Sequence, residues 1–361
     1  MRKRLLTAAS AALLVTVLTA ATAVAAPAPV TFDLPVPSGP HPIGERDVHL
    51  VDPARARELM ISVWYPAEQG NGPRARYLPA QAADYFDRGA APALGIAPGR
   101  VDWAAIETHA RADAAPQGRW PVLLYSPGGG SLRELGTSTA EDLASRGYVV
   151  VTVDHTGEAP FVVFPGDRMV TADPGQDLVS DLRVRVADMR FVLDRLPGIP
   201  GLGQAMDLGR VGLLGHSFGG DTAAEVTTVD SRADAAADLD GWLAYDVDGK
   251  NRTGAGTNGV PRPILMMGSA GSTRGGEVRS HLTSPSWNSL WQHTTAPKYD
   301  VPLPDAMHYS FTDVQWFLPE LARKLPVDPA VRQQRIGSID PAISLATQRT
   351  LLTTFFGRML R

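Results

Sequence analysis

Arg210-Val-Gly-Leu-Leu-Gly-His-Ser-Phe-Gly-Gly220 is an apolar run that ends in glycines gathered around a single serine. Its first half, Arg210 to Gly215, has the length and near-continuous apolar character of a buried strand. Its second half carries Gly215-His216-Ser217-Phe218-Gly219, a G-x-S-x-G pattern, and Gly219 to Thr228 reads as a helix. Strand, serine and helix in direct succession are what a nucleophile elbow requires. Such a turn is strained, so glycines must flank the serine to avoid Cβ clashes, and the Ser217 hydroxyl is lifted above the sheet edge. The amide of Phe218 then points to where an oxyanion would form. A glycine-rich helix start with Ser217 as its N-cap is the competing reading. A phosphate loop is disfavoured, because Asp221 follows the last glycine where that motif needs Lys.

Outward from this segment, strand-like and helix-like stretches alternate. Glu58 to Tyr65, Trp120 to Tyr125, Tyr148 to Asp154, Ala233 to Leu239 and Pro263 to Met267 read as strands. Glu134 to Arg146 reads as a helix closed by Gly147, and Leu182, Val186, Met189, Leu193 and Leu196 mark one face of another that Pro197 ends. Continuous apolar strands separated by helices imply an α/β fold, a mainly parallel central sheet with helices on both faces. Only the Gly-, Asn- and Asp-rich stretch 241–262 separates the strand at 233–239 from the next, which leaves no room for a large cap domain and favours an open cleft. Tyr77, Tyr85, Phe86 and Trp103 lie scattered through a polar, Ala/Pro/Gly-rich stretch from 67 to 118, either packed down or forming a lipid-facing lip. Packing is the expected outcome.

An elbow serine needs a base, an acid and a second oxyanion donor. Ser126-Pro127-Gly128-Gly129-Gly130 follows the strand at 120–125, where bare glycine backbone approaches a reacting carbonyl closely. A dinucleotide fingerprint would need Gly where Arg133 stands. In the chain order Ser, acid, His, only His281, His293 and His308 can be the base. His308 follows a plausible last strand, Lys298 to Pro304, and precedes the helix-like run from Phe311 to Leu318, which favours it. His155 and His216 precede that order and read as structural or pocket-lining. The strand at 233–239 ends in Asp238-Leu239-Asp240-Gly241, so Asp240 is the stronger candidate for the acid and Asp238 the other. Trp287 and Trp291, four apart on a helix-like stretch, line an acyl pocket or pack in the core.

The 361 residues contain 34 Lys+Arg, 38 Asp+Glu and no Cys. That removes thiol chemistry, Cys-ligated metals and disulfides, and the slight acidity without a basic block argues against nucleic acid as a partner. Arg2, Lys3 and Arg4 precede an uncharged apolar run from Leu5 to Thr22, and Ala23-Val24-Ala25 supplies a cleavage signal. Residues 1–25 are therefore expected to be a secretory signal peptide and 26–361 a single catalytic domain. Losing three of the 34 basic residues would take the net charge from −4 to −7.

Taken together, Arg57 to Pro66, Tyr125 to Gly130, Asp142 to Val150 leading to Asp154-His155, Gly215 to Gly220, Asp238 to Trp242 and Met307-His-Tyr-Ser-Phe311 resemble the platelet-activating factor acetylhydrolase family of α/β-hydrolases, in its secreted bacterial branch. The resemblance runs from about Val36 to the C-terminus. It implies the α/β-hydrolase fold, Ser217 as nucleophile, Asp240 as acid, His308 as base, and the amides of Gly129 and Phe218 as the oxyanion hole. Family members often carry His-Gly where this chain has Pro127-Gly128. The implied activity is that of a secreted serine esterase or lipase that needs no metal or cofactor. Its partner is a small-molecule or lipid ester, with transient contact to a lipid surface. A peptidase on the same fold and a non-catalytic binding protein are the competing functions.

Overall fold

A computed structural model describes residues 27–173, 177–271 and 276–361. The expected signal peptide, 1–25, lies outside the described residues. The strands are β1 (Ile43–Asp52), β2 (Arg57–Pro66), β3 (Arg74–Arg76), β4 (Glu107–Ala112), β5 (Trp120–Ser126), β6 (Val149–Val153), β7 (Phe161–Phe164), β8 (Arg168–Thr171), β9 (Met206–His216), β10 (Ala233–Leu239), β11 (Ile264–Ser269) and β12 (Lys298–Leu303). The helices are α1 (Ala80–Gly89), α2 (Thr137–Ser145), α3 (Leu178–Arg195), α4 (Phe218–Val229), α5 (Gly254–Asn258), α6 (Pro285–His293), α7 (Val314–Ala322), α8 (Pro329–Ile336) and α9 (Pro341–Met359).

One sheet takes the order β12-β11-β10-β9-β5-β6-β2-β1-β4-β3, and β7 and β8 pair separately as a hairpin. The block from β12 to β6 is parallel throughout, whereas β2 joins β6, and β1 joins β2, antiparallel. Side-chain alternation explains why helices cover both faces of the parallel block. In β5, Val122 and Leu124 enter the core beneath α3 and α4, while Leu123 and Tyr125 enter the opposite core beneath α2 and α9. The apolar stripe of α3 behaves as its spacing predicts: Leu182, Met189 and Leu193 are buried, and Asp177 caps the helix by accepting from the Val179 and Ser180 amides. This is the α/β-hydrolase architecture.

The strand order also fixes where a site can form. From β5 the chain steps to β6 on one side and then returns to place β9 on the other. β5 and β9 are adjacent and parallel, so the loops that leave their carboxyl ends meet at one edge of the sheet.

The aromatic stretch between 67 and 118 folds down. Tyr77, Phe86 and Trp103 are buried with Phe32 and Phe317 in a separate core, and Tyr85 alone is 38% exposed, its ring against Phe161. Trp103 sits within 6 Å of three rings and donates through Nε1 to Asp87 at 3.1 Å. The helix expected at 134–146 begins as a short 3₁₀ turn, Arg133–Gly136, before α2. If this core rather than a lipid lip is what Trp103 serves, Trp103→Ala lowers the unfolding free energy by about 3–5 kcal/mol in urea titrations. A loss below about 1 kcal/mol would contradict the packing.

Candidate active site

Ser217 stands between β9 and α4 with φ 54° and ψ −126°, a conformation that side chains disfavour. The reason is the crowding around it. A Cβ on Gly219 would lie 1.9 Å from the carbonyl oxygen of Ser126, and one on Gly215 would lie 2.2 Å from the backbone of Gly219. The turn from strand to helix is thus pressed against the end of β5, which only glycine permits. The Ser217 amide donates to the Leu239 carbonyl at 2.8 Å, tying the turn to the end of β10.

Asp240 is the first residue beyond β10, at φ 60°, and it is fully buried. Its Oδ1 accepts from the Ser269 amide at 2.9 Å and its Oδ2 from the Ser269 hydroxyl at 2.7 Å, so the carboxylate is oriented by the end of β11. His308 opens a 3₁₀ turn, His308–Phe311, after β12. That turn is held because Ser310 Oγ accepts from the Met307 amide and donates to the Ile336 carbonyl. His308 Nδ1 lies 2.7 Å from Asp240 Oδ2, and Nε2 lies 2.9 Å from Ser217 Oγ. A carboxylate accepts only, so Nδ1 carries the proton and Nε2 is left to accept from the serine hydroxyl. Three residues from three different loops therefore form one hydrogen-bonded line that can move a proton off Ser217.

The other candidates point elsewhere. Asp238 is buried behind the elbow, and its Oδ1 accepts from the Gly241 amide at 2.7 Å. Burial, reinforced by neighbouring Asp221, pushes its carboxyl well above the usual carboxylate range. His281 pairs with Asp300 and stacks on Trp291, and His293 contacts the Ser289 carbonyl within its own helix. Trp287 is fully buried, with Nε1 donating to the Gly241 carbonyl at 2.9 Å, so it packs in the core. His216 donates through Nε2 to the His308 carbonyl at 2.9 Å. Burial, then the proximity of His308, lowers its pKa to about 3, so it stays neutral and acts as a prop for the His308 turn.

The glycine loop lies against the elbow. A Cβ on Gly128 would sit 3.4 Å from the Ser217 Cβ, and one on Gly129 3.7 Å from the Phe218 Cβ. Gly129 and Phe218 are thereby neighbours, as two donors to one oxygen must be. The sequence reading passes over Ser269 and the buried Arg185, which reaches this loop from α3. Ser269 has no distinguishing signal. Arg185 has one, a charge three residues after Leu182 and four before Met189, on the helix's apolar stripe.

Residues 30–177 match the family described as platelet-activating factor acetylhydrolase, isoform II. That stretch includes the glycine loop and ends before Ser217. The chain is 28% identical over 367 residues to a probable 1-alkyl-2-acetylglycerophosphocholine esterase of Arthroderma benhamiae, covering 93% of this chain and 90% of that protein. It is 21% identical over 282 residues to platelet-activating factor acetylhydrolase of Cavia porcellus, covering 65% of this chain and 60% of that protein. Among solved structures, a ferulic acid esterase from Streptomyces cinnamoneus superposes with a TM-score of 0.73 at 33% identity, covering 91% of this chain and 93% of that one.

The two aspartates make the geometry testable. Asp240→Asn, which lets the wrong tautomer of His308 form, lowers kcat on an activated ester by about 10⁴. Asp238→Asn changes a buried carboxyl whose pKa is raised and whose oxygen accepts from the Gly241 amide, and it leaves kcat nearly unchanged. Equal losses in both variants would count against Asp240 as the acid.

Proposed function

As a member of the platelet-activating factor acetylhydrolase-like family of α/β-hydrolases, this chain is a carboxylic ester hydrolase, and we propose that it works through an acyl intermediate on Ser217. The observation that carries this reading is the His308 ring, 2.9 Å from Ser217 Oγ on one side and 2.7 Å from Asp240 on the other. His308 Nε2 takes the hydroxyl proton as Ser217 Oγ attacks the ester carbonyl, and Asp240 stabilises the imidazolium that results. The amides of Gly129 and Phe218 receive the tetrahedral oxyanion. His308 then returns the proton to the departing alkoxide, leaving acyl-Ser217 and the free alcohol. Water then attacks the acyl carbon while giving a proton to His308, and His308 passes that proton to Ser217 Oγ as the acyl–oxygen bond breaks and the acid leaves.

The substrate proposed is a small-molecule or lipid ester with one compact apolar group. A pocket of about 120 Å³ adjoins Gly130 of the glycine loop and Tyr309, the residue after His308, and is lined by Phe86, Leu94, Leu132 and Val314 among others. A space of this size holds roughly one aromatic ring or a short acyl chain. An apolar groove bordered by Leu265, Tyr299, Val301 and Phe355 lies near the amino ends of β11 and β12, away from Ser217. It plays no part in this reading.

Hydrolysis of p-nitrophenyl acetate or butyrate that vanishes in Ser217→Ala, together with fluorophosphonate labelling of the Ser217 peptide, is the expected result. Turnover retained by Ser217→Ala would sink the assignment, as would faster cleavage of peptide amides than of esters. Rates across acyl lengths, and on phospholipid vesicles, then separate short-chain from lipid substrates and report any contact with a lipid surface.

We also propose that the enzyme is exported. The support is Arg2-Lys3-Arg4, the apolar run to Thr22 and the Ala23-Val24-Ala25 site. Protein collected from the culture medium is expected to begin at Ala26 on amino-terminal sequencing; an intact leader on cell-retained protein would overturn this.

A further inference from the structure

Beneath the glycine loop lies a second Ser-His-Asp line. Ser126 Oγ is 2.9 Å from His155 Nε2, and His155 Nδ1 is 3.0 Å from Asp188 Oδ2. Its connectivity repeats that of Ser217, His308 and Asp240, yet all three side chains are buried and no substrate can reach them. Asp188 is moreover engaged by Arg57 through two nitrogens at 2.6 and 2.7 Å and by Arg55 at 2.9 Å. With Nδ1–H donated to Asp188, His155 Nε2 accepts from the Ser126 hydroxyl. A lone pair of Ser126 Oγ is then open to a further donor, and that donor is Arg185.

The Arg185 guanidinium is only 1% exposed. Its Nη1 donates to Ser126 Oγ at 3.1 Å and to the Pro127 carbonyl at 2.7 Å. Its Nη2 donates to the Gly128 carbonyl at 3.0 Å and to Glu158 Oε1 at 2.6 Å, and its Nε pairs with Glu158 Oε2. Glu158 Oε1 in turn accepts from the Gly130 amide at 3.1 Å. One planar fork thus grips both carbonyls that precede Gly129, while its carboxylate partner holds the amide that follows. Because the peptide group is planar and trans, drawing the Gly128 carbonyl toward Arg185 turns the Gly129 N–H to the opposite side. Three successive glycines would otherwise sample many orientations. Arg185 also neutralises Glu158, a carboxylate that would oppose an oxyanion forming beside Gly129.

We propose that Arg185 is a positioning residue for the oxyanion loop, anchored from below by Ser126, His155 and Asp188, and that it presets the Gly129 N–H for the transition state. This rests on the Ser217 reading above. Arg185→Lys keeps the charge but replaces a planar fork making five donations with one ammonium nitrogen that has three N–H groups. It is expected to lower kcat about 10- to 100-fold per fluorophosphonate-titrated Ser217, with KM on p-nitrophenyl butyrate little changed. Affinity for a trifluoromethyl ketone, whose serine adduct carries an oxyanion, should fall by the same factor. A merely structural role would lower the fraction of titratable enzyme and leave kcat per site and inhibitor affinity alone. Should Arg185→Lys not fold, the double variant Glu158→Gln with Arg185→Gln, which leaves no lone buried charge, is read the same way. Values of kcat and inhibitor affinity within about twofold of the unmodified enzyme would overturn the proposal. If Ser217→Ala keeps its turnover, it is the underlying reading that fails instead.

Discussion

The end of β9 runs so close to the end of β5 that no side chain fits between them. Ser126 and Gly215 are register partners, and a Cβ on Gly219 would lie 1.9 Å from the Ser126 oxygen. Ser217 can occupy its strained turn only because the glycines on either side let α4 begin on top of β5. The same closeness sets the neighbouring strand: Leu239 pairs with His216, and the Ser217 amide donates to the Leu239 carbonyl. Asp240 must then emerge beside the serine. Strain at Ser217 costs of order 1–3 kcal/mol, and the packing of two helix layers on the parallel strands holds it in place.

Alignment of the site depends on buried charge. A chain with no cysteine has no covalent brace for three loops drawn from separate strands. Asp240 is oriented by both polar groups of Ser269, and His308 by the Ser310 turn and by His216. Under the glycine loop, Arg185 with Glu158 and Arg57 with Asp188 form a connected ionic layer. Burial works to raise the Asp188 carboxyl, but hydrogen bonds from His155 and Arg57 overcome it and hold its pKa at about 2. Such layers contribute little net stability compared with apolar packing, but each fork-shaped donor admits few geometries. Orientation is what a transition-state site needs most.

Legibility in the sequence followed the strength of the local signal. β5, β6 and β11 are continuous apolar runs and α3 has an apolar stripe, so they emerge from the local pattern. β1 does not, because Ile43-Gly-Glu-Arg-Asp-Val-His-Leu-Val-Asp52 is dense in charge. It becomes a strand by pairing with β2 along its whole length, toward the solvated side of the sheet. The three-residue β3 is too short to show a pattern at all. α9, unassigned in the sequence reading, has a readable start, with Asp340 as N-cap and Pro341 in its first turn, yet its burial of Leu352, Phe355 and Phe356 depends on which sheet face was left uncovered. The aromatic residues Tyr77, Phe86 and Trp103 lie in a stretch with no periodicity, and only their contact with Phe32 and Phe317 makes them core.

By itself, the sequence determined the strand, turn and helix around Ser217, since glycine spacing and apolar runs act over a few residues and need no partner. It also narrowed the base and the acid to a few side chains by chain order. The sequence favoured Asp240 over Asp238, two residues apart at the end of β10, and only the tertiary structure shows how the two side chains part in space. A positive φ turns Asp240 out toward His308, and burial beside Asp221 leaves Asp238 behind the elbow. Only the fold, too, brought Arg185 beneath the glycine loop, 57 residues away in the chain. Hydrogen bonds across such separations are set by how strands and helices stack, and no local pattern encodes that distance.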